Sequence, residues 1–137
     1  MKRKLLLVLL ILILAGGLTG YYLYNKPVAS LQDEIPAATL SADQLCEAFI
    51  SDEEKANKEL LNKVVVVSGT VNDYFCDTTG TNIILSSCVD CYMVNCRLED
   101  GLEAKVEPGQ TVSLKGVVNG FNMFDVNINR CVLIEKP

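Results

Sequence analysis

Six cysteines are the residues of this 137-residue chain best suited to chemistry. Cys76, Cys88, Cys91 and Cys96 fall within one stretch, with Cys46 before it and Cys131 after it. Four thiolates can hold zinc tetrahedrally without histidine. Only Cys88-x-x-Cys91 has the two-residue knuckle spacing, however, whereas a structural zinc site ordinarily pairs two knuckles. Zinc on Cys76, Cys88, Cys91 and Cys96 therefore stands as an alternative reading. A redox C-x-x-C needs its first cysteine at a helix N-terminus, where the dipole lowers the thiol pKa. Cys88-Val89-Asp90-Cys91 lies between two strand-like runs, and Asp90 would raise that pKa. Outside the cytosol, cysteines this dense more often form disulfides or buried thiols.

Other chemistries are limited by what is missing. The chain has no histidine, which excludes hydrolytic triads in their histidine form. Glu99 and Asp100 are adjacent carboxylates in a polar loop, where a solvated pair is the commoner state. Asp52-Glu53-Glu54 resembles a cation site but is better read as the first turn of a helix, where the dipole favours acidic residues. No Gly-rich phosphate loop is present, and Gly80, Gly101, Gly109 and Gly120 read as turn residues. The expectation is a protein without catalysis and without a cofactor.

Charge narrows the partners. The chain carries −5 overall, and three of its 12 basic residues, Lys2, Arg3 and Lys4, precede an apolar run. Beyond residue 4 the net charge is −8, with the remaining basic residues scattered. Such a surface repels phosphate backbones, and nucleic-acid binding needs clustered Lys or Arg. Nucleic acid is the disfavoured partner, although Tyr74, Tyr92 and Phe121 are aromatic residues that could stack bases.

The elements that position these residues follow from the order of the chain. Leu5 to Tyr24 is free of charge and long enough to cross about 30 Å of hydrocarbon as a helix. The basic residues before it belong on the cytoplasmic side, and Tyr21, Tyr22 and Tyr24 suit the opposite lipid–water boundary. A cleaved signal peptide is the alternative, with Ala15-Gly16-Gly17 as small residues. Gly16 and Gly20 form a G-x-x-x-G, so a helix dimer is weighed against a lone anchor. The expected organisation is an anchor over residues 1–24, a linker over 25–40 and an extracytoplasmic domain over 41–137. Pro27, Pro36 and the lack of a sustained period make the linker read as flexible.

Ser41 and Gln44 form a capping box that starts a helix. Leu45, Ala48, Phe49, Ala56, Leu60 and Leu61 lie on one stripe, and a second start signal at Ser51–Glu54 predicts a kink or split. Lys63–Phe75 is then read as a long strand, with Gly69 marking a bend or close approach. Further strands are read at Asn82–Ser87, Tyr92–Leu98, Gln110–Asn119 and Phe124–Ile134. Val112, Leu114, Gly116 and Val118 alternate with polar residues, as do Val126 and Ile128 with Asn127 and Asn129. Five strands of period two, separated by turns, predict a mainly β domain, a barrel or small sandwich preceded by a helix.

The pattern Ala56…Val65-x-Val67-x-Gly69-x-Val71, then Val94-x-Cys96, Gly109-Gln110-x-Val112-x-Leu114-x-Gly116 and Cys131-x-Leu133, resembles the tRNA-anti-like OB-fold family of bacterial exported proteins. The resemblance spans residues 41–134. It implies a five-stranded Greek-key OB barrel preceded by a helix. Val118 stands where the family often has a further cysteine, and Cys46, Cys76, Cys88 and Cys91 look like additions. In an OB barrel the third and fifth strands are neighbours, which makes Cys96–Cys131 a disulfide candidate and Cys88–Cys91 a local one. The resemblance also places a ligand face on the second and third barrel strands, around Tyr74, Asn82 and Tyr92. The expected function is a membrane-anchored extracytoplasmic OB-fold module that binds an envelope protein or small ligand. A thiol- or metal-linked module and a purely structural envelope component are the rivals.

Overall fold

The charge-free N-terminal run forms one helix, α1 (Lys2–Tyr24). Its segment Leu6–Tyr24 is long and apolar enough to cross a membrane, a test that an N-terminal signal sequence also meets. Toward its C-terminal end, Thr19 Oγ1 donates to the Ala15 carbonyl at 2.7 Å. The computed structural model describes residues 2–25, 31–78, 80–87, 92–99, 102 and 104–134. Cys88 and Cys91 lie outside these, so the local disulfide expected between them does too.

The segment read as a flexible linker is fixed to the domain from residue 31 onward. Leu31 is fully buried. Lys115 is itself buried, and its ammonium donates to the carbonyls of Gln32, at 3.0 Å, and of Glu34. Ala37 N–H then reaches Val64 O at 2.7 Å, and β1 (Ala38–Ser41) pairs in parallel with the next strand. The sequence conceals this because a four-residue strand shows no period, and its partners lie far along the chain. Lys115→Ala should loosen this strap at a cost of about 1–3 kcal/mol. Hydrogen exchange should then rise across residues 31–41 while the barrel amides stay protected.

The helical region is split where the second start signal predicted. In α2 (Ala42–Ser51) Ser41 and Gln44 form the full capping box. Asp52 caps α3 (Glu53–Leu60), its carboxylate accepting from Lys55 N–H at 3.0 Å. The acidic run is thus a helix start, with Glu54 also paired to Lys58 at 2.7 Å.

Five further strands follow: β2 (Val64–Asp77), β3 (Gly80–Ser86), β4 (Met93–Leu98), β5 (Thr111–Asn122) and β6 (Asp125–Ile134). The sheet order is β1-β2-β3-β4-β6-β5, and pairing of β2 with β5 closes five strands into a barrel. β2 serves two neighbours. Residues 64–70 pair with β5 and residues 70–77 with β3, and the register shifts between Val71 and Asp73. The valine run supplies the β-branched residues such a strand favours. A Cβ on Gly69 would meet Ala42 Cβ at 3.0 Å, so the glycine admits the start of α2. Pairing of β4 with β6 is parallel, while the other barrel pairs are antiparallel. Inward residues such as Val65, Val67, Ile83, Leu85, Val94 and Ile128 fill the interior. One end is closed by α2, whose Leu45, Cys46 and Phe49 are buried in the same core. Phe49 lies 5.8 Å from Phe121, which lies 5.7 Å from Tyr92.

Candidate binding face

The cysteines separate into buried and exposed sites. Cys96 on β4 and Cys131 on β6 are both fully buried inside the barrel. Both are free thiols in this structure, which does not support the expected Cys96–Cys131 disulfide. Cys96 pairs with Ile128, and Cys131 with Leu98. The two cysteines are therefore diagonal, and Cys131 Sγ also lies 3.5 Å from the Ile128 carbonyl, its acceptor. The register shift around Arg130, whose φ is 55°, turns Cys131 inward although Ile128 already faces in. Cys46 is buried under α2, and Cys76 is exposed near the β2–β3 turn.

Of the four cysteines in the alternative metal reading, Cys76 and Cys96 are not brought together: one is on the surface and the other inside the barrel. Among the described residues, no group of three His, Cys, Asp or Glu side chains is arranged to hold a metal.

The hydrogen bond with Cys96, and then burial, hold the Cys131 thiol well above its ordinary pKa of about 9. Burial, reinforced by Asp43 and Asp125, raises that of Cys46 despite a hydrogen bond with Ser87. These acids are more readily protonated when folded than unfolded. Their contribution is therefore complete below the unfolded thiol pKa and is lost as pH rises through the folded values. The thermal midpoint is expected to fall steadily above pH ~9, and Cys131→Ala should flatten that decline. Melting curves between neutral and strongly alkaline pH check this.

The three residues named for a ligand face do not share one surface. Tyr74 pairs with Ile83, an inward position, yet its ring is exposed because β2 overshoots the barrel. It lines a cleft of about 570 Å³ with Cys76, Thr81 and residues 104–107. Tyr92 is partly buried against Phe121. Asn82 alone belongs to the outer face of β3 and β4.

Strand register defines that outer face. In β4, Val94, Cys96 and Leu98 are buried, so Met93, Asn95 and Arg97 point outward. Cross-strand partners share a face, which gives three rows. The first is Phe75–Asn82–Arg97, the second Asp73–Ile84–Asn95–Asn127 and the third Ser86–Met93–Asp125. Asn82 is nearly covered, and Asn95 Oδ1 is buried with no hydrogen bond from any described residue. The hairpin between β5 and β6 stands at one end, with Met123 and Phe124 exposed and Phe124 O accepting from Met93 N–H at 3.2 Å. Phe75, half exposed, stands at the other end. The charged groups in these rows are Asp73, Arg97 and Asp125. The sequence set Asn127 opposite Val126 and Ile128, but neither it nor Asn95 was expected on the ligand face, although the alternation around them marked both as outward.

The strand order, the parallel β4–β6 pair and the helix-capped end describe an OB barrel, and the family model named tRNA_anti-like matches residues 1–132. The chain belongs to the tRNA_anti-like family. A crystal structure of a candidate nucleic acid-binding lipoprotein from Klebsiella pneumoniae subsp. pneumoniae shares the fold. Its TM-score is 0.60 at 15% identity, over 71% of this chain and 91% of that one. A candidate aspartyl-tRNA synthetase from Leishmania major Friedlin aligns with TM-score 0.45 at 10% identity, over 88% of this chain and 26% of that one. No curated protein matches the sequence.

Proposed function

We propose that this tRNA_anti-like protein is a membrane-tethered, extracytoplasmic binding module without catalytic activity, and that the outer face of β3, β4 and β6 receives its ligand. The observation that carries this reading is the set of amide side chains on that face, Asn82 in one row and the Asn95–Asn127 pair in the next, with exposed Phe75 and Phe124 nearby. Polar groups arrayed between apolar ends orient a ligand and exclude water at once. The apolar helix Leu6–Tyr24 supports the tether, with the basic residues Lys2–Lys4 on the cytoplasmic side. The strap shortens that tether. Only six peptide steps separate Asn25 from the buried Leu31, a reach of about 20 Å at most. The module therefore works close to the bilayer surface.

Exposed Cys76 offers a direct test. A membrane-impermeant maleimide applied to intact spheroplasts, followed by peptide mapping, should modify Cys76. Modification only after lysis would place the domain in the cytoplasm and overturn the reading.

Nucleic acid is the second reading, favoured by the description of the Klebsiella lipoprotein. The net charge of −8 beyond residue 4 opposes it. A short single-stranded oligonucleotide should bind no more tightly than about 10⁻⁴ M at physiological salt.

A further inference from the structure

We propose that the crevice between the strap and the outer side of β2, β5 and β6 binds a long-chain fatty acid, with its carboxylate on the Lys115 ammonium. This site is separate from the face of β3, β4 and β6, and it rests only on the membrane tether of the reading above.

Strand register builds the crevice. In β5 the inward residues are Val112, Leu114, Gly116 and Val118, so Lys115 points outward. Its cross-strand partners are Val66 on β2 and Val132 on β6, which places the three in one outer row. The strap is bonded to that row through Lys115. Between strap and row lies a space of about 520 Å³, lined by Pro36, Val66, Val132, Leu133 and Ile134, with Gln32 and Lys115 as its polar members. Clefts of roughly 300–1,000 Å³ are the size that encloses small ligands.

Lys115 gives this apolar space its chemistry. The residue is only 6% exposed. An ammonium carries three donors, and two of them go to the Gln32 and Glu34 carbonyls. Among the described residues no carboxylate pairs with it. Neutral carbonyls satisfy donors but leave the positive charge uncancelled, and a buried charge is costly until an anion joins it. The third N–H and the charge together call for an acceptor that is itself negative, the partner that makes the stronger hydrogen bonds.

The rest of the lining narrows that anion. A single cation lines the crevice, so a polyphosphate or an acidic peptide would bring in charges left without partners. One carboxylate on an aliphatic tail matches one ammonium beside five aliphatic walls, where burial of the tail adds to binding in proportion to its area. The bilayer is the source at hand, because Leu31 follows the apolar helix by a chain reach of about 20 Å at most.

The experiment uses the full chain in phosphatidylcholine vesicles that contain a trace of hexadecanoic acid bearing a diazirine on its tail. The pH is mildly alkaline, so that the acid is ionised. Illumination should label peptides from residues 32–36 or 132–134, as well as the Leu6–Tyr24 helix, which meets the acid in the bilayer whatever the domain does. Unlabelled hexadecanoate should suppress labelling of the domain at about tenfold lower concentration than hexadecanol. Lys115→Met, which keeps the apolar stem, should lower that labelling about tenfold, and Lys115→Arg should retain most of it. The competition between acid and alcohol needs no variant, so a strap loosened by substitution does not obscure it. Labelling of the helix without the domain would overturn the proposal and leave the tether standing. Equal suppression by acid and alcohol would overturn it too, since the ammonium would then play no part. Labelling of neither would remove the tether along with the site.

Discussion

Replacing Gly116 with valine is expected to abolish stable folding of the barrel. A Cβ at this position would stand 2.5 Å from Ile128 Cγ2, 2.7 Å from Cys131 Sγ and 3.1 Å from the Asn129 carbonyl. These are fixed groups. Ile128 and Cys131 are buried core residues, and Asn129 O belongs to the backbone of β6. The glycine lies opposite the irregular stretch of β6, where the pairing shifts between Lys115 and Val117. Without a side chain at Gly116, the thiol of Cys131 has room to turn into the interior. Overpacking a core by a few carbons costs about 1–3 kcal/mol, and valine adds three against a backbone that cannot retreat. The loss should reach ~3 kcal/mol or more, and each kcal/mol moves the midpoint of a domain this size by roughly 4–8 °C. Gly116→Ala should lower the melting temperature less, and part of that loss should return in a Cys131→Ala background. An unchanged melting temperature for Gly116→Val would mean that β5 and β6 are not packed this way.

Phe49→Ala is expected to be the second most damaging change. Phe49 is the largest fully buried side chain of α2, and its ring lies 5.8 Å from Phe121 at an interplanar angle of 18°. Removing a buried phenylalanine costs about 3–5 kcal/mol through lost burial and the cavity left behind. Position adds a consequence that magnitude alone does not. Phe49 joins the capping helix to Phe121, and Phe121 leads on to Tyr92 just before β4. The truncation should therefore loosen both α2 and the start of β4. Thermal melting measures the first effect, and increased hydrogen exchange around Met93 and Val94 reports the second. Phe49→Leu, which keeps much of the volume, should cost less than half as much.

Much of the architecture follows from local patterns. The capping box at Ser41–Gln44, the second helix start at Asp52 and the two-residue alternation in β5 and β6 are encoded within a few residues of each element. The resemblance to the tRNA-anti-like pattern supplied the OB barrel and its closure. Such signals are legible because helix and strand periods depend only on neighbours along the chain. The charge, the lack of histidine and the length of the apolar run were legible for the same reason.

The site was less legible, because it depends on pairing between distant segments. Tyr74 occupies an inward position by register yet is exposed, since β2 runs past the barrel that would have covered it. Cys131 faces inward only because of the irregularity beside Arg130, which breaks the alternation that begins at Val126. The strap from Leu31 to Pro36 carries no pattern of its own, and its place was decided by Lys115, some eighty residues away. The sequence by itself determined which segments become strands and which side of each strand is apolar, because those choices are made residue by residue. Only the tertiary structure decided which polar residues assemble into one surface. That depends on register, bulges and closure, which are settled when strands far apart in the chain meet.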